Sequence, residues 1–285
     1  MQNHLRHLFL AIFASFTLTA PMGAYSPAQP PVIPFEAATP EGRIAGEIHQ
    51  IPGSSPDTIL VITGGSGVGI RADTAAAIGL FLSKTTAVAI YDRRGFGDSS
   101  GIATTPTTAN TAWLIPALGS DLIAITSHLD GLGYDRIGIL GSSMGGWVNA
   151  SAAARSDLID FAINLVGGAT SVSRSDTFDA LTNTGLSIGA ALAMTPGRAE
   201  AIGYDPACDL ARASIPMLWV LGERDDSNPS QLDIDVIERL AAAGQPFQYI
   251  LVERADHNFL NVESGEIILD WVPDTLRFME SASAE

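Results

Sequence analysis

The chain has 285 residues, of which 46% are hydrophobic, so it can bury a sizeable core and is not disordered as a whole. Its 15 basic and 31 acidic residues give a formal net charge of −16, which repels phosphate backbones and excludes nucleic-acid binding driven by charge. The single cysteine, Cys208, excludes an intrachain disulfide, a cysteine-rich zinc site and a CxxC redox motif.

The first 26 residues have the pattern of a secretory signal peptide. Arg6 precedes an apolar run from Leu8 to Ala20, which is short for a membrane span and has the length of a signal-peptide core. An uncleaved membrane anchor is the alternative. We expect export, to the periplasm or the medium, with no stable membrane association after cleavage. Residues 27–40 contain five prolines and are interpreted as a linker before a catalytic domain over residues 41–285.

Short apolar runs alternate with stretches of helical length in the rest of the chain. Such runs are typical of strands buried on both faces, and the alternation predicts an α/β fold with a mostly parallel sheet flanked by helices. The predicted strands are Thr58–Thr63, Ala87–Tyr91, Arg136–Leu140, Phe161–Val166, Pro216–Leu221 and Phe247–Val252, with an antiparallel strand over Arg43–His49. The predicted helices lie within residues 71–83, 108–130, 144–155, 231–243 and 265–280.

Residues 171–205 interrupt the alternation and are too long for a plain connection between two strands. We interpret them as a small, mainly helical cap. Its apolar residues are expected to form the cap's own packing face. If some of them face the site instead, the bound acyl or alcohol group is apolar and small to medium in size. These residues are Leu181, Leu186, Ile188, Leu192 and Met194.

A G-x-S-x-G motif follows the strand Arg136–Leu140 and precedes a predicted helix. Only Ser143 is centred between the two required glycines, Gly141 and Gly145. In the context of strand, sharp turn and helix, the central serine is held in a strained conformation and projects from the end of the sheet. The sequence therefore predicts Ser143 as a nucleophile, and a plain Gly/Ser turn is the alternative.

A serine hydroxyl needs a base, and the base needs a carboxylate to orient it. His257 is the only histidine after Ser143, and it follows the strand Phe247–Val252. Asp225 follows the strand Pro216–Leu221 by a turn, and we expect its neighbours Glu223 and Asp226 to face solvent. The predicted order along the chain is therefore nucleophile, acid, base.

An oxyanion hole completes the predicted machinery. The backbone N–H of Met144 is the donor expected from the serine turn. The second donor is expected in the glycine-rich loop after Thr63, from Gly65 or Ser66, and the spacing does not choose between them.

These motifs resemble the α/β-hydrolase superfamily over residues 41–280. The resemblance rests on GSSMGG at 141–146, G-x-x-D-x-x-x-P at 222–229, ADHNF at 255–259 and the loop at 91–100, which is similar to D-x-R-G-x-G-x-S. It implies a serine hydrolase that forms an acyl-enzyme without a cofactor. A serine at position 143 argues against the dehalogenase and epoxide-hydrolase branches, which carry aspartate there. Thr63 stands where the family usually has histidine before the oxyanion loop.

The substrate implied by the resemblance is a small-molecule carboxylic ester. Aminopeptidase-like hydrolysis of an amide on the same triad is the alternative, and it needs an acidic residue to hold the substrate amine. Asp176, Asp179 and Asp205 are aspartates of the cap that could do so. The sequence does not indicate the oligomeric state.

Two readings compete with hydrolysis. Residues 67–72 fit the G-x-G-x-x-A fingerprint of a dinucleotide site, and Asp92 ends the next strand where a ribose-binding acid is expected. That reading, an NAD(P)-dependent oxidoreductase, leaves Ser143, Asp225 and His257 unexplained. A binding module with the same fold and no chemistry is the other. The sequence has no P-loop and no metal-ligand cluster, so no metal site is predicted.

Overall fold

The apolar runs of the chain pair side by side in one sheet. In the computed structural model, residues 32–67 and 69–282 are described, and eight strands among them form this sheet in the order β1-β2-β4-β3-β5-β6-β7-β8. The strands are β1 Val32–Thr39, β2 Gly42–His49, β3 Thr58–Thr63, β4 Thr86–Tyr91, β5 Arg136–Ser142, β6 Phe161–Leu165, β7 Met217–Gly222 and β8 Phe247–Val252.

The predicted α/β fold with a mostly parallel sheet is confirmed. Strands β4, β3, β5, β6, β7 and β8 pair in parallel, whereas β2 is antiparallel to both β1 and β4. All seven strands expected from the sequence are present, with ends within two residues of the predicted ones. The carboxyl ends of the parallel strands meet at one edge of the sheet, where ligands bind in such folds.

The predicted linker over residues 27–40 is wrong where the structure describes it. Residues Val32–Thr39 form β1, which pairs with β2 along its whole length. Pro34 is tolerated because β1 is an edge strand. Phe35 and Ala37 alternate as buried residues within the strand, a period-two pattern that the surrounding prolines obscure. The predicted signal peptide, residues 1–26, lies outside the described residues.

Helices cover both faces of the sheet. They are α1 Ile78–Phe81, α2 Thr111–Asp130, α3 Met144–Ala153, α4 Val172–Asn183, α5 Ile188–Arg198, α6 Ala207–Arg212, α7 Ser230–Ala242 and α8 Val272–Ser281. One apolar core lies between the sheet and helices α2, α3 and α7, and a second lies between the sheet and helices α1 and α8. Helix α2 is long and apolar enough to cross a membrane, but its buried apolar side chains belong to the first core.

Two predicted helices are shorter than the sequence indicated. The stretch 71–83 consists of two 3₁₀ turns, at Arg71–Asp73 and Ala75–Ala77, followed by the single turn of α1. The stretch 265–280 becomes helical only at Val272, because the chain before it folds back and Leu260 pairs with Ile267 in an isolated bridge. Local composition did not reveal these tertiary contacts.

The cap consists of helices α4 and α5, as predicted. Its small core is built on Phe178, Leu181 and Ala191. The remaining apolar residues of the predicted stripe pack against this core; they are Leu186, Ile188, Leu192 and Met194. The stripe is therefore the packing face of the cap.

Candidate active site

Ser143 occupies the sharp turn between β5 and α3. Its backbone has φ 53° and ψ −115°, a conformation that side-chain-bearing residues rarely adopt. The turn is held on both sides, because the N–H of Ser143 donates to the carbonyl of Leu165 at 2.8 Å and its own carbonyl accepts from the N–H of Gly146 at 2.9 Å. The predicted strained turn is present.

The two motif glycines are required by close backbone packing. A Cβ atom on Gly141 would lie 2.2 Å from the carbonyl oxygen of Gly145, and one on Gly145 would lie 2.7 Å from the carbonyl oxygen of Thr63. Both distances are far below van der Waals contact, and the obstacles are backbone atoms. The glycines therefore allow α3 to start directly against β3 and β5.

Asp225 lies in the loop after β7 and is 2% exposed. Its Oδ1 accepts the backbone N–H groups of Ser227 at 2.9 Å and Asn228 at 2.7 Å, and its Oδ2 lies 2.8 Å from Nδ1 of His257. Both carboxylate oxygens are thus used, and the second orients the imidazole. Glu223 and Asp226 are exposed, as expected from the sequence.

His257 follows β8 in a loop that its neighbour Asp256 stabilises. Oδ1 of Asp256 accepts the N–H groups of Asn258 at 2.7 Å and Leu260 at 2.9 Å. Burial lowers the pKa of His257, but the charge of Asp225 and the hydrogen bond to it, with smaller contributions from Asp256 and Asp226, outweigh burial and leave the pKa above its ordinary value.

Ser143 and His257 line the same cavity, with a volume of about 400 Å³. Met144 and Ser66 line it as well, so the residue of the first predicted oxyanion donor and one of the two candidates for the second lie at the same cavity as the serine. As the first residue of α3, Met144 has an N–H without an acceptor inside the helix. Gly65 is buried and lines a separate apolar cavity of about 70 Å³ on another side of His257.

Four aspartates face the large cavity: Asp176, Asp179, Asp226 and Asp256. Among the described residues that line it, no lysine or arginine balances them. Burial raises the pKa of Asp176, Asp179 and Asp226, although Asp176 accepts a hydrogen bond from Thr108 at 2.5 Å. Asp205, the third acid considered from the sequence, lies in a different groove.

Three further residues of this cavity were not found from the sequence. Asn228 and Ser175 are buried and hydrogen-bonded to each other, and Thr108 holds Asp176. Asn228 stands directly before the motif proline Pro229, but single polar residues in loops carry no other signal. Trp147 lines the cavity and donates its Nε1–H to the carbonyl of Thr170 at 2.7 Å.

Asp92, the acid that the dinucleotide fingerprint would need to bind a ribose, is not free to bind a ligand. Asp92 is 2% exposed, and its carboxylate accepts the backbone N–H of Arg71 at 2.7 Å, the Arg71 guanidinium at 2.5 Å and the N–H of Asp98 at 2.9 Å. These bonds hold two loops together and leave the carboxylate committed to protein donors. The chain after the fingerprint forms short 3₁₀ turns instead of the long helix that such a site uses.

The sequence of residues 60–271 matches the model of the alpha/beta hydrolase family, and the chain belongs to that family. A comparison with curated proteins finds no match. Among solved structures, an esterase from Pyrococcus furiosus is 16% identical, with a TM-score of 0.67 and coverage of 91% of this chain and 94% of that one.

Two other similar structures carry different activities in their names. Proline iminopeptidase from Mycobacterium smegmatis is 13% identical, with a TM-score of 0.59 and coverage of 88% of this chain and 98% of that one. The 2,6-dihydroxy-pseudo-oxynicotine hydrolase is 19% identical, with a TM-score of 0.62 and coverage of 87% of this chain and 69% of that one. At these identities the likeness concerns the fold.

Proposed function

We propose that the protein is a serine hydrolase in which Ser143 is the nucleophile, His257 the general base and Asp225 the acid that orients it. The observation that carries this proposal is the 2.8 Å contact between His257 Nδ1 and Asp225 Oδ2, on an imidazole that shares a cavity with the strained Ser143. A binding module would need neither the strained serine nor the committed carboxylate.

The reaction proceeds through an acyl-enzyme. Oγ of Ser143 attacks the substrate carbonyl carbon while Nε2 of His257 takes its proton, and the N–H of Met144 with that of Ser66 or Gly65 stabilises the oxyanion. The imidazolium returns the proton to the leaving group. His257 then activates water, which releases the acid and regenerates Ser143. Asp225 stays ionised and stabilises the imidazolium.

A carboxylic ester is the substrate proposed first. An alcohol leaves more readily than an amine, so a triad without further help hydrolyses esters fastest. The cavity of about 400 Å³ is large enough for a small to medium acyl or alcohol group. The apolar stripe of the cap does not line this cavity, so it does not favour an apolar acyl or alcohol group there.

An amide with a free amino group is the second candidate, and the four cavity aspartates favour it. A protonated amine compensates carboxylates that share one cavity and have no basic side chain beside them there. Asp176 lies on helix α4 of the cap and lines the cavity, and we propose it as the residue that selects such a group.

Two sets of substrates compare these candidates. The first is a series of p-nitrophenyl esters with neutral acyl chains of increasing length, and the second is a series of aminoacyl-p-nitroanilides with their N-acetylated counterparts. Ester hydrolysis is supported if short neutral esters have the highest kcat/KM. Amide hydrolysis is supported if free aminoacyl anilides are cleaved and acetylation abolishes it. If the protein hydrolyses neither set of substrates, the proposed function is contradicted.

Two variants that each remove one negative charge test whether the cavity aspartates select an amine. Asp176→Asn is expected to lower kcat/KM for free aminoacyl substrates by roughly 10-fold and to spare neutral esters, because one ion pair with the substrate amine is removed. Asp205→Asn, in the same part of the chain but outside the cavity, serves as the control. Equal effects of Asp176→Asn on charged and neutral substrates contradict amine selection.

A further inference from the structure

Helix α4 of the cap runs along the loop that carries Asp225. Ser175, Asp179 and Thr182 share one face of this helix, because they are spaced at i, i+4 and i+7. Each of them contacts one residue of the loop that follows β7, here called the acid loop. The contacts run in opposite directions along the two segments. The six residues, here called the cap seam, are Ser175 with Asn228, Asp179 with Ser227, and Thr182 with Asp226.

Two hydrogen bonds and one polar interaction hold the cap seam. The hydroxyl of Ser175 donates to Oδ1 of Asn228, and the side chain of Ser227 interacts with the carboxylate of Asp179. Oγ1 of Thr182 lies 2.5 Å from the carbonyl oxygen of Asp226. Helix α4 of the cap is therefore bound to the acid loop at three positions, in addition to covering the cavity.

Asn228 connects the cap seam to the sheet. It is 3% exposed, and its Nδ2 donates to the carbonyl of Val166, the residue directly after β6. The preceding residue, Leu165, accepts the backbone N–H of Ser143 at 2.8 Å. One amide side chain thus joins the cap to the end of the strand that also supports the serine turn.

The cap seam also contains the donors that orient Asp225. The backbone N–H groups of Ser227 and Asn228 are the two that bind Oδ1 of Asp225, and the other oxygen of the same carboxylate contacts His257. A shift of the cap helix would move both donors and, with them, the carboxylate. Rigid partners of this kind matter because small displacements of a catalytic group cost rate.

We propose that the cap seam positions the Asp225 carboxylate against His257. Asn228, which joins the cap seam to the sheet, is the main positioning residue. The proposal rests on the proposed function for its catalytic consequence, while its structural consequence is independent of any substrate. It assigns the cap a role in holding the catalytic residues in their positions. In the opposing account the cap only binds substrate, and loosening it changes KM alone.

The decisive measurement is an NMR titration of the His257 ring in the full chain. The charged groups that face this ring are Asp225 and Asp226 of the acid loop, Asp256 of its own loop and Asp179 of α4. Asn228→Ala, Ser175→Ala and Thr182→Ala keep all four carboxylates. We expect each to lower the pKa of His257 toward that of a free histidine, because Asp225 moves away from the ring.

Thr177→Ala is the matched control. Thr177 belongs to the same helix, lies on the face opposite Ser175 and does not line the cavity. It should leave the titration of His257 unchanged. Thermal unfolding of every variant separates loss of position from loss of fold, and Ser175→Ala and Thr182→Ala keep the test valid if Asn228→Ala does not fold.

Activity supplies a second readout. With the best ester of the panel, Asn228→Ala is expected to reduce kcat by roughly 10- to 100-fold with little change in KM. Unchanged His257 titration in all three folded seam variants overturns the proposal, as does a change in KM alone. Failure of the proposed function is a separate result, because the wild-type protein would then hydrolyse no substrate while the NMR comparison still decides the positioning role.

Discussion

Asp225 and Asp226 are adjacent in the chain and have opposite environments. Asp225 is 2% exposed and its carboxylate binds two backbone N–H groups and His257, whereas Asp226 is exposed at the edge of the cavity. A one-residue difference in the loop after β7 therefore separates an orienting carboxylate from a carboxylate that acts only through its charge.

Replacing each of these aspartates by asparagine should give unequal losses. Asp225→Asn is expected to lower kcat by roughly 10⁴-fold, because an amide at this position favours the wrong tautomer of His257. Asp226→Asn removes a charge of the cavity wall and should lower kcat less than about 10-fold. Steady-state kinetics on one ester compares them, and the reverse ranking would reassign the acid.

The backbone of Ser143 predicts an unusual order of stability. Glycine normally destabilises a folded chain relative to alanine, but at φ 53° a side chain is strained and glycine is not. Ser143→Gly should therefore be more stable than Ser143→Ala by about 1 kcal/mol. Urea unfolding of the two inactive variants measures this difference, and a more stable alanine variant would show that the turn is relaxed.

The pH dependence of kcat/KM should follow the ionisation of His257. Its pKa is raised, and the base must be neutral, so activity is expected to fall with decreasing pH from a point above the ordinary histidine range. Asp256→Asn keeps the acceptor for two loop N–H groups and removes one negative charge. It should shift the acidic limb to lower pH, and a shift to higher pH would contradict the electrostatic assignment.

Buried Asp233 predicts a dependence of stability on pH. Burial raises its pKa from 3.8 to about 7, and Oδ2 has no hydrogen-bond partner among the described residues. Because the folded state holds this proton more tightly, the stabilisation is complete below the unfolded pKa and is lost as pH rises through about 7.

Asp233→Asn should therefore stabilise the protein at pH 8 by roughly 1–3 kcal/mol, since no charge is then buried. The advantage should disappear at pH 4. Asp235→Asn, at an exposed position of the same helix, is the control for removing a charge from α7. A constant difference between pH 4 and pH 8 would show that Asp233 is not the titrating group.

The sequence was informative where chemistry or periodicity imposes a local pattern. The strands of the parallel sheet are continuous apolar runs. The glycines beside Ser143 are required because a Cβ atom added to either would lie 2.2 or 2.7 Å from a backbone oxygen. The loops after β7 and β8 bring Asp225 and His257 to the same edge of the sheet because those strands are parallel neighbours.

The remaining features depend on distant contacts that no local pattern encodes. β1 is a strand because β2 lies beside it, although Pro34 interrupts its sequence. The cap seam joins residues 53 and 44 positions apart, and the aspartates of the cavity wall come from three separate segments. An apolar acyl or alcohol group was expected only if the cap's apolar residues faced the site, and the structure places these residues in the cap's own core.

Labelling with a fluorophosphonate, followed by mass spectrometry of the peptides, tests the central assignment most directly. The account predicts one adduct, on Ser143, which disappears in Ser143→Ala, persists in Ser142→Ala and forms far more slowly in His257→Ala. Absence of an adduct in the folded wild-type protein, or an adduct on any other serine, would contradict it.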